Sequence, residues 1–269
     1  MMDATREADA ADPCSGDETA CAWPLVTAGT SHALAERVLD LEAFWLPRHP
    51  SLPFHTLGAT NYYDITANPA RPYERLAQQY NPLLRACFAE LYDALAVALG
   101  ERLQAPVTWL AGAALPGFHV FGAHPAFAAS PGHDVLHGDW FTRRDGAGFP
   151  GNPIHVDTAH LALGLAPQPD GAGRRTVSFT LPLRVPRDGA GMKLWPWRQD
   201  DLAGLTPASR LARLQCAPAR HVAYRPGMLF LHAGDRFHQA RGFPTRQGDY
   251  RITLQGHGAW LDHAWRLFW

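Results

Sequence analysis

Lysine is almost missing from this chain: Lys193 is the only one, and the other 23 basic residues are arginines. Charge of either sign is sparse. Charged residues occupy 18% of the 269 positions, against roughly 25% in an average soluble protein. The net charge is −1, so no basic surface is available to hold a nucleic acid or an anionic membrane. The arginine excess reads as a compositional bias rather than a design for phosphate. Cysteine is equally uninformative. Cys14, Cys21, Cys87 and Cys216 match no zinc or redox spacing, which points to unpaired thiols in a reducing compartment. No run of about 18 apolar residues is present to span a bilayer. Residues 1–22 carry Asp3, Glu7, Asp9, Asp12, Asp17 and Glu18 against Arg6 alone, so they have neither the basic start nor the apolar stretch of a signal peptide. The expectation is a soluble, cytoplasmic protein with a tail without fixed structure over 1–22 and one domain over 23–269.

What is abundant is glycine and proline, 24 and 23 residues. Together they make up about 17% of the chain, against roughly 12% in an average protein, which implies many turns. Helical patterns come first. Ser31 suits the cap of a helix with Leu34, Val38, Leu41 and Trp45 on one face. Residues 46–72 read as loop. Asn81 and Pro82 suit the start of a second helix and Gly100 its stop, with Leu84, Phe88, Leu91, Leu95 and Leu99 at helical spacing. The helical part is therefore placed at 31–102.

After Pro106 the period changes to two. Val177, Phe179, Leu181, Leu183 and Val185 alternate with Ser178, Thr180, Pro182 and Arg184, a strand with one buried face, on which Pro182 marks an edge position. Apolar runs at 107–111, 117–121, 153–163, 191–195, 228–232 and 250–254 bring the total to about eight strands over 107–258. Helices followed by strands give an α+β class, with the sheets forming a sandwich or jelly roll.

Within this region lies His155-Val-Asp157. On a strand, positions i and i+2 face the same way, so imidazole and carboxylate converge. With a second histidine they make a facial set for a divalent metal that leaves three coordination positions open. In a chain with 14 histidines and 18 aspartates, about one His-x-Asp is expected by chance. A second one does occur, His137-Gly-Asp139, in a glycine-rich stretch. His155 and Asp157 are preferred because a β-branched, apolar segment carries them. Downstream, an apolar strand ending Leu229-Phe-Leu-His232 leads through a polar turn to His238. Thirteen residues later Arg251 and Thr253 share one strand face, with Tyr250, Ile252 and Leu254 on the other. A buried arginine needs an anionic partner; a face turned to solvent is the alternative. His232 replaces His238 as ligand if the strand register slips.

The order strand-borne His-x-Asp, later histidine on a glycine-rich turn, then Arg-x-Thr on the next strand resembles the Fe(II)/2-oxoglutarate-dependent oxygenases. The resemblance covers roughly residues 107–258. It implies a jelly-roll, double-stranded β-helix core with N-terminal flanking helices. It also implies Fe(II) on His155, Asp157 and His238, with 2-oxoglutarate anchored by Arg251 and Thr253. The reaction would then be a dioxygenase one: 2-oxoglutarate and dioxygen are converted to succinate and carbon dioxide while a substrate C–H is hydroxylated. Thr253 departs mildly from the commoner Arg-x-Ser. Halogenating members replace the carboxylate by a small residue, so Asp157 favours hydroxylation or a related oxidation. The subfamily is not assigned. A small-molecule substrate, such as an amino acid or natural-product intermediate, fits a chain without a basic patch. A cupin-type metal dioxygenase or isomerase, which has no use for Arg251, and a non-catalytic jelly-roll binding protein are the alternatives. His119, His124, Trp140, Lys193 and Trp195 are open between pocket and packing roles, and Trp260, Trp265, Phe268 and Trp269 read as a segment that closes the barrel end.

Overall fold

The structure is a computed structural model and describes residues 20–66, 72–127, 154–165, 176–242 and 245–269. Residues 20–22, placed in the tail above, belong to a strand. β1 (Ala20–Pro24) pairs antiparallel with β9 (Met228–Ala233).

The first helix, α1 (Ala28–Asp40), starts three residues before Ser31. Its cap is Thr27, whose hydroxyl accepts from the Thr30 N–H at 3.1 Å, satisfying one of the orphan donors of the first turn. Ser31 is buried instead, and its hydroxyl donates to the Leu183 carbonyl at 3.0 Å. The second helix, α2 (Tyr73–Leu103), also exceeds its expected bounds. Pro82 lies inside it, Gly100 does not stop it, and Gln104 ends it in the left-handed region at φ 49°. Asn81 is no cap. Its side chain donates to the Ala113 carbonyl and accepts from the Leu115 N–H, both at 2.9 Å.

The stretch expected to be loop over 46–72 contains structure. β2 (Leu46–Pro47) and β3 (Phe54–Leu57) pair with each other, and β3 also pairs with β5 (Gly117–Gly122). A π-helical turn follows at Tyr62–Thr66. Such turns are rare and concentrate at functional sites.

The larger sheet runs β1-β9-β6-β11-β5-β3-β2, with β6 at Thr176–Arg184 and β11 at Tyr250–Leu261. One edge of β11 pairs with β6. Its other edge pairs first with β5 and then with β12 (Ala264–Phe268), which continues to β4 (Val107–Trp109). The smaller sheet runs β10-β7-β8, from Arg236–Ala240, Gly191–Arg198 and Arg220–Ala223. This is the expected α+β jelly roll, with α1 and α2 packed on the larger sheet.

Both faces of β6 are buried, not one. Val177, Phe179, Leu181 and Leu183 meet Leu84, Phe88, Leu91 and Leu95 of α2 in the main core. Ser178 and Thr180, equally buried, point to the space between the sheets. Pro182 is not at an edge either. β6 lies between β9 and β11, and Pro182 sits at a register shift opposite Thr253. A bulge accommodates its missing N–H as an edge would. The aromatic C-terminal segment packs inside: Trp265, Phe268 and Trp269 are buried, and the Tyr73 hydroxyl donates to the Trp269 carbonyl at 2.7 Å. Cys21, Cys87 and Cys216 are free thiols. No described helix is long and apolar enough to cross a membrane.

Candidate metal centre

His155 is not part of a long strand. It makes a single antiparallel bridge with His238, exchanging N–H···O bonds of 3.0 and 2.9 Å. His238 is in β10 itself, opposite Leu194, rather than on a turn. Asp157 follows the bridge, its N–H donating to the Gly234 carbonyl at 2.7 Å, before the short helix α3 (Ala159–Ala162). The backbone between the two side chains is pinned from outside. Ile154 and the partly buried Val156 pack with Trp195, Leu202, Leu214 and Phe237. Leu214 belongs to α4 (Pro207–Cys216), whose Leu214 carbonyl accepts from the Trp195 indole at 2.7 Å. Trp195 is thus a packing residue.

The structure brings His155, Asp157 and His238 together: one ligand atom from each lies within 4.8 Å of the other two. His155 Nε2 is 3.8 Å from Asp157 Oδ1, and His238 Nε2 is 3.5 Å from Oδ2. Asp157 and His238 are buried and His155 is half-buried. His238 Nδ1 lies 2.9 Å from the Arg236 carbonyl. A carbonyl only accepts, so Nδ1 carries the hydrogen and Nε2 keeps its lone pair.

Both carboxylate oxygens of Asp157 have a hydroxyl donor. The Tyr62 phenol donates to Oδ1 at 2.7 Å, and Ser178 Oγ donates to Oδ2. His257 Nδ1 is 3.1 Å from Ser178 Oγ and 3.9 Å from Oδ2. Burial works to raise the pKa of Asp157, but His238, then His257, His155 and His232 outweigh it and hold the carboxyl below the ordinary range. Burial lowers the pKa of His238 to about 4 and also lowers those of His232 and His257. At neutral pH the carboxylate therefore stands beside three rings, His238, His232 and His257, whose neutral form burial favours. An ionised buried carboxylate whose described partners are hydroxyls and imidazoles is short of positive charge. A divalent cation on the three donors supplies it, so the residues fit a 2-His-1-carboxylate metal site.

These groups line a cavity of about 110 Å³ between the two sheets, walled also by Tyr63, His119, Phe121, Met192 and Tyr224. His232 lines it too, its ring centroid 4.5 Å from that of His238, but it lies outside the converging set. His119 is therefore a cavity residue. His124 is bonded to Thr245 at 2.9 Å through its backbone, and Lys193 is half-buried in β7. His137, Asp139 and Trp140 lie outside the described residues.

Arg251 and Thr253 are buried on the inner face of β11, 3% and 0% exposed, so this polar face does not meet solvent. Their cross-strand neighbours on β5 are Phe121 and His119. Neither of the two is itself in the cavity lining; the Phe121 ring, which is, has its centroid 3.9 Å from the Arg251 guanidinium carbon. Burial brings the Arg251 pKa down to about 10, opposed by nearby Tyr224 and Tyr63, so the group stays cationic at neutral pH.

Two contributors, Tyr62 and Ser178, are not singled out by the sequence, and His257 stands there only as one of the rival histidines of the β-rich region, with His160, His221 and His232. Tyr62 came from a stretch read as loop, Ser178 from a strand face read as polar, and His257 from beyond the Arg-x-Thr pair. A Tyr-Tyr-Asp cluster after a β-strand was the one local signal for Tyr62.

No family model and no curated protein sequence matches this chain. Among solved structures it is similar to an N-substituted L-amino acid dioxygenase from Burkholderia ambifaria AMMD, at 18% identity over 93% of this chain and 86% of that one, with a TM-score of 0.52. The structure of such an enzyme from the same organism in complex with alpha-KG aligns at 16% identity over the same shares, with a TM-score of 0.53. The likeness expected from motif order holds at the level of architecture: the chain has the jelly-roll fold of these dioxygenases.

Proposed function

We propose that the protein is an Fe(II)- and 2-oxoglutarate-dependent oxygenase that hydroxylates, or otherwise oxidises at C–H, a small molecule. The observation that carries this reading is the convergence of His155, Asp157 and His238 inside a double-stranded β-helix whose larger sheet carries a buried arginine, Arg251 on β11. His155 and His238 would hold Fe(II) through Nε2 and Asp157 through its carboxylate. When bound, the metal with 2-oxoglutarate and dioxygen supplies the oxidising equivalent, releasing succinate and carbon dioxide. The chain itself binds and orients. Arg251 offers a fixed positive charge toward the far carboxylate of the oxoacid. Thr253, on the same face, offers a hydroxyl. Tyr63, Phe121 and Tyr224 keep water from the cavity wall. Neither a nucleic acid nor a membrane partner is part of this reading, and the cytoplasm is its compartment. An amino acid or similar metabolite comes first among substrate classes in this reading, which the likeness to a dioxygenase of N-substituted L-amino acids supports.

One observation favours a second reading, a metal-dependent oxidation that does without the oxoacid: neither Arg251 nor Thr253 lines the cavity, and the Phe121 ring lies against the guanidinium. Anaerobic addition of 2-oxoglutarate to the Fe(II)-loaded protein separates the two. A visible metal-to-ligand charge-transfer band supports the first reading. Saturable Fe(II) binding without that band supports the second, and no Fe(II) binding at all removes both.

A further inference from the structure

We infer that Tyr62, Ser178 and His257 are positioning residues that clamp the Asp157 carboxylate in the orientation a metal requires. This rests on the metal-centre reading above, although nothing in that reading demands the clamp. Tyr62 and Ser178 each bond a different oxygen of Asp157, so rotation of the carboxylate about Cβ–Cγ breaks two hydrogen bonds together. Ser178 has one hydroxyl hydrogen, and Asp157 takes it. The 3.1 Å contact between Ser178 Oγ and His257 Nδ1 must then run the other way, with Nδ1–H donating to Oγ. His257 thereby sets the direction of the serine hydroxyl. The Tyr62 ring stands edge-on to the His257 ring, 5.6 Å between centroids, which closes the group.

Each member comes from a different element, and each is held independently of Asp157. Ser178 and His257 face each other across the β6–β11 pair. Tyr62 opens the π-helical turn, which is anchored at its other side by Asp64. That carboxylate takes Arg48 in a two-pronged ion pair at 2.6 and 3.0 Å, with both side chains almost wholly buried. Asn61 makes a second tie from this turn to the metal segment, its amide donating to the Ala159 carbonyl at 3.1 Å. The turn therefore grips the chain at residue 157 and again at 159. Partners that fix a ligand's orientation commonly contribute about ten- to a hundredfold to metal affinity.

The test is a titration of metal-free protein with Co(II), and anaerobically with Fe(II), reading dissociation constant and the Co(II) visible spectrum. Tyr62→Phe and Ser178→Ala should each weaken binding about ten- to a hundredfold and alter the Co(II) bands. Ser178→Thr, which keeps the hydroxyl, should restore most of the affinity. His257→Phe should resemble Ser178→Ala, and His257→Asn, which keeps an N–H near the Nδ1 position, should recover part of the loss. Tyr92→Phe is the control: it removes a buried phenol hydroxyl, but one bonded to the Pro116 carbonyl. Circular dichroism of the metal-free variants checks folding. Tyr62→Phe and Ser178→Ala act on different oxygens, so either alone tests the clamp if the other does not fold. Wild-type affinity and spectrum in the folded variants, or an equal loss in Tyr92→Phe, overturns the clamp and leaves the metal centre standing. A wild-type protein that takes up neither metal overturns the metal-centre reading and the clamp with it.

Discussion

Three donors and one cation-bearing strand face account for the chemistry proposed at the residue scale. His155→Ala, Asp157→Ala and His238→Ala each remove one of the three converging donors, and each is expected to abolish turnover and to weaken Fe(II) binding beyond the range of the clamp variants. His221→Ala, on the exposed side of β8, should leave the Fe(II) isotherm where it was; if it removes iron instead, the ligand assignment is wrong. Arg251→Leu should act on the oxoacid alone. A charge-assisted hydrogen bond contributes about 1.5–3 kcal/mol, and each roughly 1.4 kcal/mol is tenfold in affinity. An anaerobic 2-oxoglutarate titration should therefore show a loss of at least about ten- to a hundredfold, with iron affinity unchanged. Arg241→Leu and Arg246→Leu serve as comparisons; Arg246 is exposed and bound to Asp188 at 3.1 Å. An unaltered constant for Arg251→Leu together with a large loss in either comparison would move the anchor elsewhere.

At the scale of elements, what matters is how one short turn reaches the centre from outside the barrel. The π-helical turn at Tyr62–Thr66 depends on the Arg48–Asp64 pair, in which Arg48 Nε also donates to the Thr56 hydroxyl at 2.7 Å on β3. Truncating one partner of a buried pair leaves the other charge uncompensated, a cost of about 3–5 kcal/mol. Arg48→Met is expected to lower the free energy of unfolding by that amount and to weaken metal binding, since Tyr62 is delivered by this turn. Chemical denaturation showing a change below about 1 kcal/mol, the worth of an exposed pair, would mean the turn is held by other contacts. Period-two alternation in 177–185 and 250–254 was legible, but alternation states only that two faces differ. In a jelly roll the polar face of an inner strand turns to the interior rather than to solvent, so Ser178, Thr180 and Thr253 are buried as deeply as the apolar face, the first two lining the cavity.

The whole molecule carries histidines whose neutral form folding favours, and its stability should follow pH accordingly. Burial first, then Arg251 and Arg48, holds the His119 ring well below the ordinary histidine value of 6.5, and burial lowers His55 as well. With the folded pKa depressed, the unfolded chain binds the proton more readily. Stability is therefore full above about pH 6.5 and declines as pH falls toward the folded value. The slope reaches at most about 1.4 kcal/mol per pH unit for each proton. Denaturant titrations of the metal-free protein between pH 7 and 5 should show this decline, and a His119→Gln variant should show a shallower one; equal slopes would remove His119 from the account. At this scale, too, local pattern and tertiary structure divide the work. The two long helices, the alternation in β6 and β11, the His-x-Asp spacing and the order His155, His238, Arg251 could be read directly, because periodicity and spacing are local properties, whereas the short strands before each long helix could not. Helix bounds could not. Asn81 and Ser31 have the chemistry of caps, but tertiary acceptors at Ala113 and Leu183 claim their side chains. Nor could the aspartate's surroundings be read, since Tyr62, Asp157, Ser178 and His257 are separated by 21 to 95 residues in the bonded pairs. Only closure of the two sheets brings them within hydrogen-bond reach, and burial there gives a polar strand face its value by excluding the water that would otherwise satisfy it.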